Sequence, residues 1–209
     1  MTTTKDHSLS SPPSGIAAKL RSFHDRAVEA GNSNPSPSIS SGPLWRAIER
    51  NHHYNMLLWE QEDQARRRNV ADSEIVENKR SIDRFNQQRN NAIEAIDETL
   101  LTMLSLVQRR AGARRNSETP GSMIDRLSIL SLKCYHMQLQ TQRTAAGPLH
   151  VATCQEKLAI LNEQRHDLEI CLDRFLDEAS RGDAYFKLYR QFKMYNDPAL
   201  NPSLHQAER

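Results

Sequence analysis

Three polar side chains interrupt an otherwise apolar heptad stripe, and they are the residues of this chain best placed to do chemistry. The stripe runs from Ile75 to Val107 with spacings of four and three, which is typical of a helix that packs against other helices. Its second half is apolar, whereas its first half contains Lys79, Asn86 and Arg89. A polar group buried without a partner costs roughly 2–7 kcal/mol, so these three side chains must contact partners, water or a ligand.

The preceding helical stripe supplies polar residues that match them. It contains His52, Asn55 and Glu62, separated by helical spacings. If the two helices form an antiparallel hairpin with a tight turn near residue 70, their polar positions meet. This register predicts three facing pairs: Glu62 with Lys79, Asn55 with Asn86, and His52 with Arg89.

A fourth helix brings a further cation to the same level of the predicted bundle, because Arg165 interrupts its apolar stripe near the midpoint. Arginine binds carboxylate and phosphate groups through paired hydrogen bonds, so the cluster suits a small anionic ligand. Glu62 and His52 are the acid/base candidates if the ligand is turned over. The predicted ligand-binding residues are Lys79, Asn86, Arg89, Arg165 and Asn55.

Two other functions are compatible with the same residues. Buried polar networks can fix the register of a helical bundle without binding anything, which would make the protein a structural or interaction module. Two E-x-x-D motifs, Glu60 to Asp63 and Glu94 to Asp97, could instead hold Mg²⁺. That arrangement is similar to the one in all-helical nucleotide pyrophosphohydrolases, and it implies the corresponding hydrolase activity.

A separate anion site is possible at the start of the third long helix. Thr119 can cap this helix and Pro120 can occupy its first turn. The free N–H groups there, with Ser122 and with Arg126 one turn later, could bind a phosphate. Simple capping by Thr119 is the alternative interpretation.

The elements that position these residues are predicted to be helices throughout. Apolar periodicity and capping signals indicate long helices at about 44–68, 72–110, 119–142 and 148–181, and a short one at about 183–195. Short connections favour antiparallel neighbours, so the expected fold is an all-α, up-down-up-down four-helix bundle with an additional short C-terminal helix.

The predicted bundle domain spans residues 44–203. Residues 1–43 are rich in Ser, Thr and Pro and are expected to be a largely disordered tail with a short helix at 16–30. Residues 204–209 are expected to be a second disordered tail.

Composition limits the partners and the location. A net charge of +2 gives no reason to expect nucleic acid. The chain has no stretch of 18 apolar residues that could span a membrane and no secretory signal, so a cytoplasmic location is expected. Its three cysteines have neither zinc-site nor disulfide spacing. The sequence identifies no cofactor, leaves metal dependence open, and leaves oligomerisation possible.

Several long strings together resemble one bacterial family, domain of unknown function 4254, over about residues 44–203. The resemblance implies a single helical domain and supplies no reaction. The strings begin at Leu58 (LWEQED), Lys79 (KRSIDRFNQQRN), Glu118 (ETPGSMIDRLSIL) and Tyr189 (YRQFKMYNDP).

Overall fold

Five α-helices make up the computed structural model, which describes residues 12, 15–31, 42–191 and 199–201. The predicted all-α class is confirmed. Besides the helices, the described residues form one 3-10 turn at Thr144–Ala146 and two strands of two residues each, β1 (Arg114–Arg115) and β2 (Ala184–Tyr185). The helices are α1 (Ile16–Ala30), α2 (Pro43–Ala65), α3 (Asp72–Met103), α4 (Pro120–Thr141) and α5 (Pro148–Ser180).

The helix starts follow the signals in the sequence. Proline occupies the first turn of α2, α4 and α5, where its missing N–H removes no hydrogen bond. At α4 the Thr119 hydroxyl accepts a hydrogen bond from the Ser122 N–H. α3 ends at Met103, seven residues before its predicted end. There the chain turns, with the Val107 N–H bonded to the Leu104 carbonyl.

The predicted helix at 183–195 is wrong over its described residues. Ala184 and Tyr185 form β2, which pairs in parallel with β1, and residues 186–191 are not helical. Gly182, at φ +77°, turns the chain away from α5, and a Cβ there would lie 2.2 Å from the Gln108 carbonyl oxygen. A partner strand 70 positions away outweighs the local helical pattern. Residues 192–195 lie outside the described part of the chain.

The N-terminal helix is part of the hydrophobic core. Ile16, Leu20 and Phe23 are at most 4% exposed, and they belong to the same buried cluster as Ile48 of α2 and Leu172 of α5. α1 contacts α4 and α5. Outside this helix, the expected disordered tails at 1–43 and 204–209 fall almost wholly on residues that the structure does not describe. The predicted domain boundary at residue 44 stays a prediction.

The buried face of α3 differs from the predicted stripe in its first half. Ile82, Ile93 and Ile96 are buried as expected, but Asn78 is buried in place of Lys79. A straight helix drifts by about 20° per heptad relative to a strict seven-residue repeat. Over the two heptads between Lys79 and Ile93 the drift amounts to about 40°, which carries Lys79 towards the exposed edge of the stripe and brings the neighbouring Asn78 towards the buried face.

In the described residues, no helix is long and apolar enough to cross a membrane. The most extensive helix contacts join α2 to α3 and α4 to α5, and each of these pairs is consecutive in the chain. The antiparallel order of a four-helix bundle stays a prediction.

Candidate functional site

A cavity of about 430 Å³ opens between α2, α3 and α4, and three of the predicted site residues line it: Asn55, Glu62 and Arg89. We call it the α2–α4 cavity. Its apolar wall comes from α2 and α4, and its charged residues come from α2, from the residue that follows α2, and from α3. The other lining residues are Leu58, Trp59, Asp63, Arg66, Ile129 and Leu132.

A buried carboxylate organises the polar groups beside this cavity. Oδ1 of Asp125 accepts hydrogen bonds from Nδ2 of Asn51 at 2.8 Å and from Nδ2 of Asn55 at 2.9 Å. Asn55 Nδ2 also lies 2.9 Å from the Ser128 hydroxyl. These donors supply part of the solvation that Asp125 loses on burial, and they fix the amide of Asn55 at the cavity.

Arg89 is a cavity-lining cation that has few contacts with the rest of the protein. Its Nε lies 3.7 Å from Oδ1 of Asp125, which is beyond hydrogen-bond distance, and this Nε has no hydrogen-bond partner. Within the described residues Asp125 is its only ionic partner. The side chain is 28% exposed. The guanidinium therefore lies at the edge of the buried network with hydrogen-bonding capacity that the protein leaves unused.

Charged residues form the rim of the cavity near the end of α2. Arg66 lies 3.1 Å from Glu62 and 3.8 Å from Asp63, measured between guanidinium nitrogen and carboxylate oxygen. All three side chains are more than two-fifths exposed, so these ion pairs are weak and easily exchanged. The rim can rearrange without disturbing the core.

The indole of Trp59, which lines the cavity, is part of an aromatic stack. The rings of Trp59 and His136 are nearly parallel, with centroids 4.4 Å apart. Burial lowers the pKa of His136, while the charge of Asp63 acts in the opposite direction. Trp59 Nε1 is buried and has no hydrogen-bond partner. The stack holds the indole in place beside the cavity.

Two of the predicted ligand-binding residues do not line the cavity and are not strongly buried. Lys79 is 67% exposed and forms an ion pair with Asp83 one turn later, so the predicted contact with Glu62 is absent. Asn86 is half-buried. The helical drift of α3 described above accounts for the position of Lys79.

Arg165 belongs to a second buried cluster, which involves α1. Its side chain is 5% exposed and forms ion pairs with Asp25 at 2.8 Å and Glu169 at 3.6 Å. Glu169 in turn accepts two hydrogen bonds from the Arg21 Nε, at 2.9 and 3.1 Å. Arg165 is therefore occupied by protein carboxylates, and it is not one of the cavity-lining residues.

His52 connects the two clusters. Its Nδ1 lies 2.8 Å from the Ser128 hydroxyl, which also contacts Asn55, and its ring stacks on His24 of α1. Burial, together with the nearby charge of Arg165 and the neighbouring His53, lowers the pKa of His52 to about 3. A neutral ring that is 1% exposed and does not line the cavity is poorly placed for acid/base chemistry there.

The predicted anion site at the start of α4 contains a protein carboxylate. Asp97 Oδ1 accepts a hydrogen bond from the Gly121 N–H at 2.7 Å, the Ser122 N–H donates to Thr119, and Arg126 pairs with Glu118. Burial raises the pKa of Asp97 to about 6, although hydrogen bonds from Thr119 and Gly121 lower it. The capping interpretation fits these contacts.

The carboxylates of the two E-x-x-D motifs have different partners. Glu94 binds Arg190, Asp97 caps α4, and Asp63 faces Arg66. In the described part of the chain, no three His, Cys, Asp or Glu side chains are grouped so that they could hold a metal ion. The geometry therefore offers the magnesium hypothesis no shared site.

Sequence reasoning missed the centre of the polar network. Asp125 and Ser128 belong to a second stripe of α4, Gly121-Asp125-Ser128-Leu132, whose 4-3-4 spacing follows one helix face. That stripe was a detectable signal. Nothing in the sequence around His24 indicates its role, because its partner His52 is on another helix.

A family model described as "Protein of unknown function (DUF4254)" matches residues 45–188. The chain belongs to this family. The DUF4254 region contains all the cavity-lining residues and the Asp125 network, whereas α1 lies before it. No curated protein and no solved structure matches the chain.

Proposed function

We propose that this DUF4254 protein binds a small organic anion with an apolar body in the α2–α4 cavity. The observation that carries the proposal is Arg89, whose side chain lines the cavity, is 28% exposed and has one long ionic contact, to Asp125, among the described residues. An arginine in that state is an effective receptor for a carboxylate or phosphate group, because its planar donors match the spacing of two anionic oxygens.

The rest of the cavity suits an apolar body. Leu58, Ile129 and Leu132 line it together with the indole of Trp59. A volume of about 430 Å³ is within the range of pockets that hold small molecules, roughly 300–1,000 Å³. The amide of Asn55, held by Asp125 and Ser128, adds one oriented polar contact. The favoured ligands are therefore aromatic or branched acids and their phosphate counterparts.

Turnover of such a ligand would need a proton-exchanging group at the cavity. Glu62 is the acid/base candidate that lies there, and Asp63 lies beside it on the rim. The proposal includes two earlier expectations, the up-down-up-down bundle and a cytoplasmic location. Anion binding in the cavity is compatible with both.

Thermal unfolding of the full chain with benzoate, phenyl phosphate and inorganic phosphate tests the proposal. A bound probe at about 100 times its dissociation constant stabilises the protein by ~2.7 kcal/mol, which raises the midpoint by roughly 5–10 °C for a chain of this size. We expect phenyl phosphate or benzoate to raise it and inorganic phosphate to have a smaller effect. Arg89→Leu should abolish the shift.

The matched control is Arg80→Leu. Arg80 is on the same helix, is 72% exposed and has only a long contact to Glu77 at 3.9 Å. This variant should retain the full ligand-induced shift. If wild type and Arg89→Leu respond equally to every probe, Arg89 is not an anion receptor and the proposal is refuted.

The alternative is a structural or protein-interaction module in which the polar network only sets the register of the helices. The buried hydrogen bonds that Asp125 accepts from Asn51 and Asn55 favour it. If Arg89 serves only that network, Arg89→Leu without any probe should destabilise the protein by about 1–3 kcal/mol, because Asp125 loses its cation. An anion receptor should instead be equally or more stable after the substitution, since an unused cation is removed from the interior.

A further inference from the structure

α1 is held on the rest of the protein by polar contacts as well as by its apolar face. Arg21 donates to Glu169 of α5, and the Ala17 N–H donates to Oδ1 of Asp173 at 3.1 Å. Asp25 pairs with Arg165. Attachment of this helix therefore depends on the protonation states of groups on both sides of the contact.

A stacked pair of histidines lies inside that contact. His24 of α1 and His52 of α2 are each 1% exposed, and their ring centroids are 4.6 Å apart at an angle of 29°. The Nε2 atoms of both rings are buried and lack any hydrogen-bond partner. Neither ring has a carboxylate partner in the described residues that would compensate a positive charge.

The charge of a cation acts on both rings. The positive charge of Arg165 lowers the pKa of both histidines further, after burial itself, which is the larger cause. The carboxylates of Asp25 and Glu169 are already paired with Arg165 and Arg21. Arg165 on α5 and His53 on α2 act on the pair directly. The groups around Arg165 are Arg21 and Asp25 on α1, Cys134 on α4 and Glu169 on α5.

We propose that α1 is an acid-released clamp: when the stacked pair His24–His52 becomes protonated beside Arg165, α1 detaches from α4 and α5 while the DUF4254 region stays folded. Release separates the two rings and exposes His24 to water. It also uncovers the surface of α4 and α5 that carries Arg165, Glu169 and Cys134.

The pH range follows from linkage. A histidine with a lowered pKa in the closed state binds protons more tightly once it is exposed, where its pKa is about 6.5. The attachment of α1 is therefore most stable above about pH 6.5, and it weakens as the pH falls. Below about pH 6, each histidine that becomes exposed makes the opening equilibrium about tenfold more favourable per pH unit, until the pH approaches the lowered pKa of that histidine.

Hydrogen exchange of the full chain, followed by mass spectrometry between pH 7.5 and pH 4.5, tests the proposal once rates are corrected for the intrinsic effect of pH. We expect the protection of α1 amides to fall at least tenfold relative to α3 amides over this range. The variant His24→Phe keeps an aromatic ring at this position and cannot be protonated, so its α1 should stay protected at pH 4.5.

The matched control is His166→Gln, which removes an exposed histidine adjacent to Arg165 in sequence and should behave as wild type. Equal protection of α1 at both pH values in the wild type overturns the proposal, and so does simultaneous loss of protection in all helices. If His24→Phe does not fold, the wild-type comparison of α1 with α3 decides alone. The thiol of Cys134 gives a second readout with 4,4′-dithiodipyridine, a disulfide reagent that reacts in acid, and it should react faster at pH 4.5 if α1 is released.

Discussion

The buried carboxyl group at the junction of α3 and α4 gives the sharpest stability prediction. Asp97 is 2% exposed, and its Oδ1 accepts the Gly121 N–H at the start of α4. The substitution Asp97→Asn keeps an oxygen that can accept this hydrogen bond, and it removes the negative charge. We expect Asp97→Asn to stabilise the protein at pH 7.

The size of the effect follows from the raised pKa of Asp97, which is about 6 in the folded protein against an ordinary value of 3.8. Each pKa unit corresponds to 1.36 kcal/mol, so the ionised carboxylate costs about 3 kcal/mol in the folded state. Because the folded pKa is raised, the folded state holds its proton more tightly, and this stabilisation is lost as the pH rises from about 4 to 6. The advantage of Asn should therefore grow from under ~1 kcal/mol near pH 4 to about 3 kcal/mol at pH 7.

Urea unfolding of both proteins at pH 4.5, 5.5 and 7, followed by circular dichroism, measures the difference. Other titrating groups are shared by the two proteins and cancel. The exposed Asp167 on α5 provides the control, since Asp167→Asn should change stability by no more than about 0.5 kcal/mol at every pH. A variant Asp97→Asn that is less stable than wild type at pH 7, with a difference that does not depend on pH, would refute the reasoning.

Three further predictions concern the core and the cavity wall. Arg165→Leu should destabilise the protein by about 1–3 kcal/mol in urea unfolding, because Asp25 loses its cation and Glu169 keeps only Arg21. The exposed Arg174→Leu should cost no more than about 0.5 kcal/mol, and equal costs would contradict the assignment. Gly121→Ala should cost about 1–3 kcal/mol in thermal unfolding, since a Cβ would lie 2.6 Å from the Ile93 backbone oxygen of α3. An unchanged unfolding midpoint would mean that α3 and α4 can move apart at no cost, which contradicts this close packing. Protonation of His136 should quench Trp59 fluorescence with a midpoint below pH 6.5, and a quench that persists in His136→Gln would show another origin.

The sequence predicted the helices well because their signals are local. Proline in the first turn and a threonine cap marked the start of α4, and apolar spacing marked its length. The C-terminal helix failed for the opposite reason. Its residues pair with a strand 70 positions earlier, and no local pattern reports a partner at that distance.

The sequence placed some of the residues that line the candidate cavity and not others, for a related reason. Arg89 and Asn55 lie at the cavity, as their positions on the two stripes suggested. Both are close to stripe positions that are buried as expected, such as Ile93 on α3 and Ile48 on α2. Lys79 lies two heptads before the buried Ile93, where about 40° of helical drift has accumulated, and its side chain is exposed. Arg165 is buried, but its shortest ion pair is with Asp25 on α1, a helix that the predicted domain left out.

The short pairing of β1 with β2 bears on the order in which this chain folds. It is reinforced by ion pairs of Arg114 with Glu178 and of Arg110 with Asp183, and by close packing of Gly182 on Gln108. All of these contacts join the connection between α3 and α4 to the end of α5. They require α5 to be formed and docked before they can exist.

Contacts of that kind contribute little to a folding transition state, which is reached while long-range contacts are still incomplete. They act on the reverse reaction, because they must break before α5 can leave. We therefore expect the β1–β2 pairing to slow unfolding and to have little effect on the folding rate. Loosening it, for example with Gly182→Ala, should speed unfolding while the folding rate stays nearly constant, so the lifetime of the native state is set by a few residues at its edge.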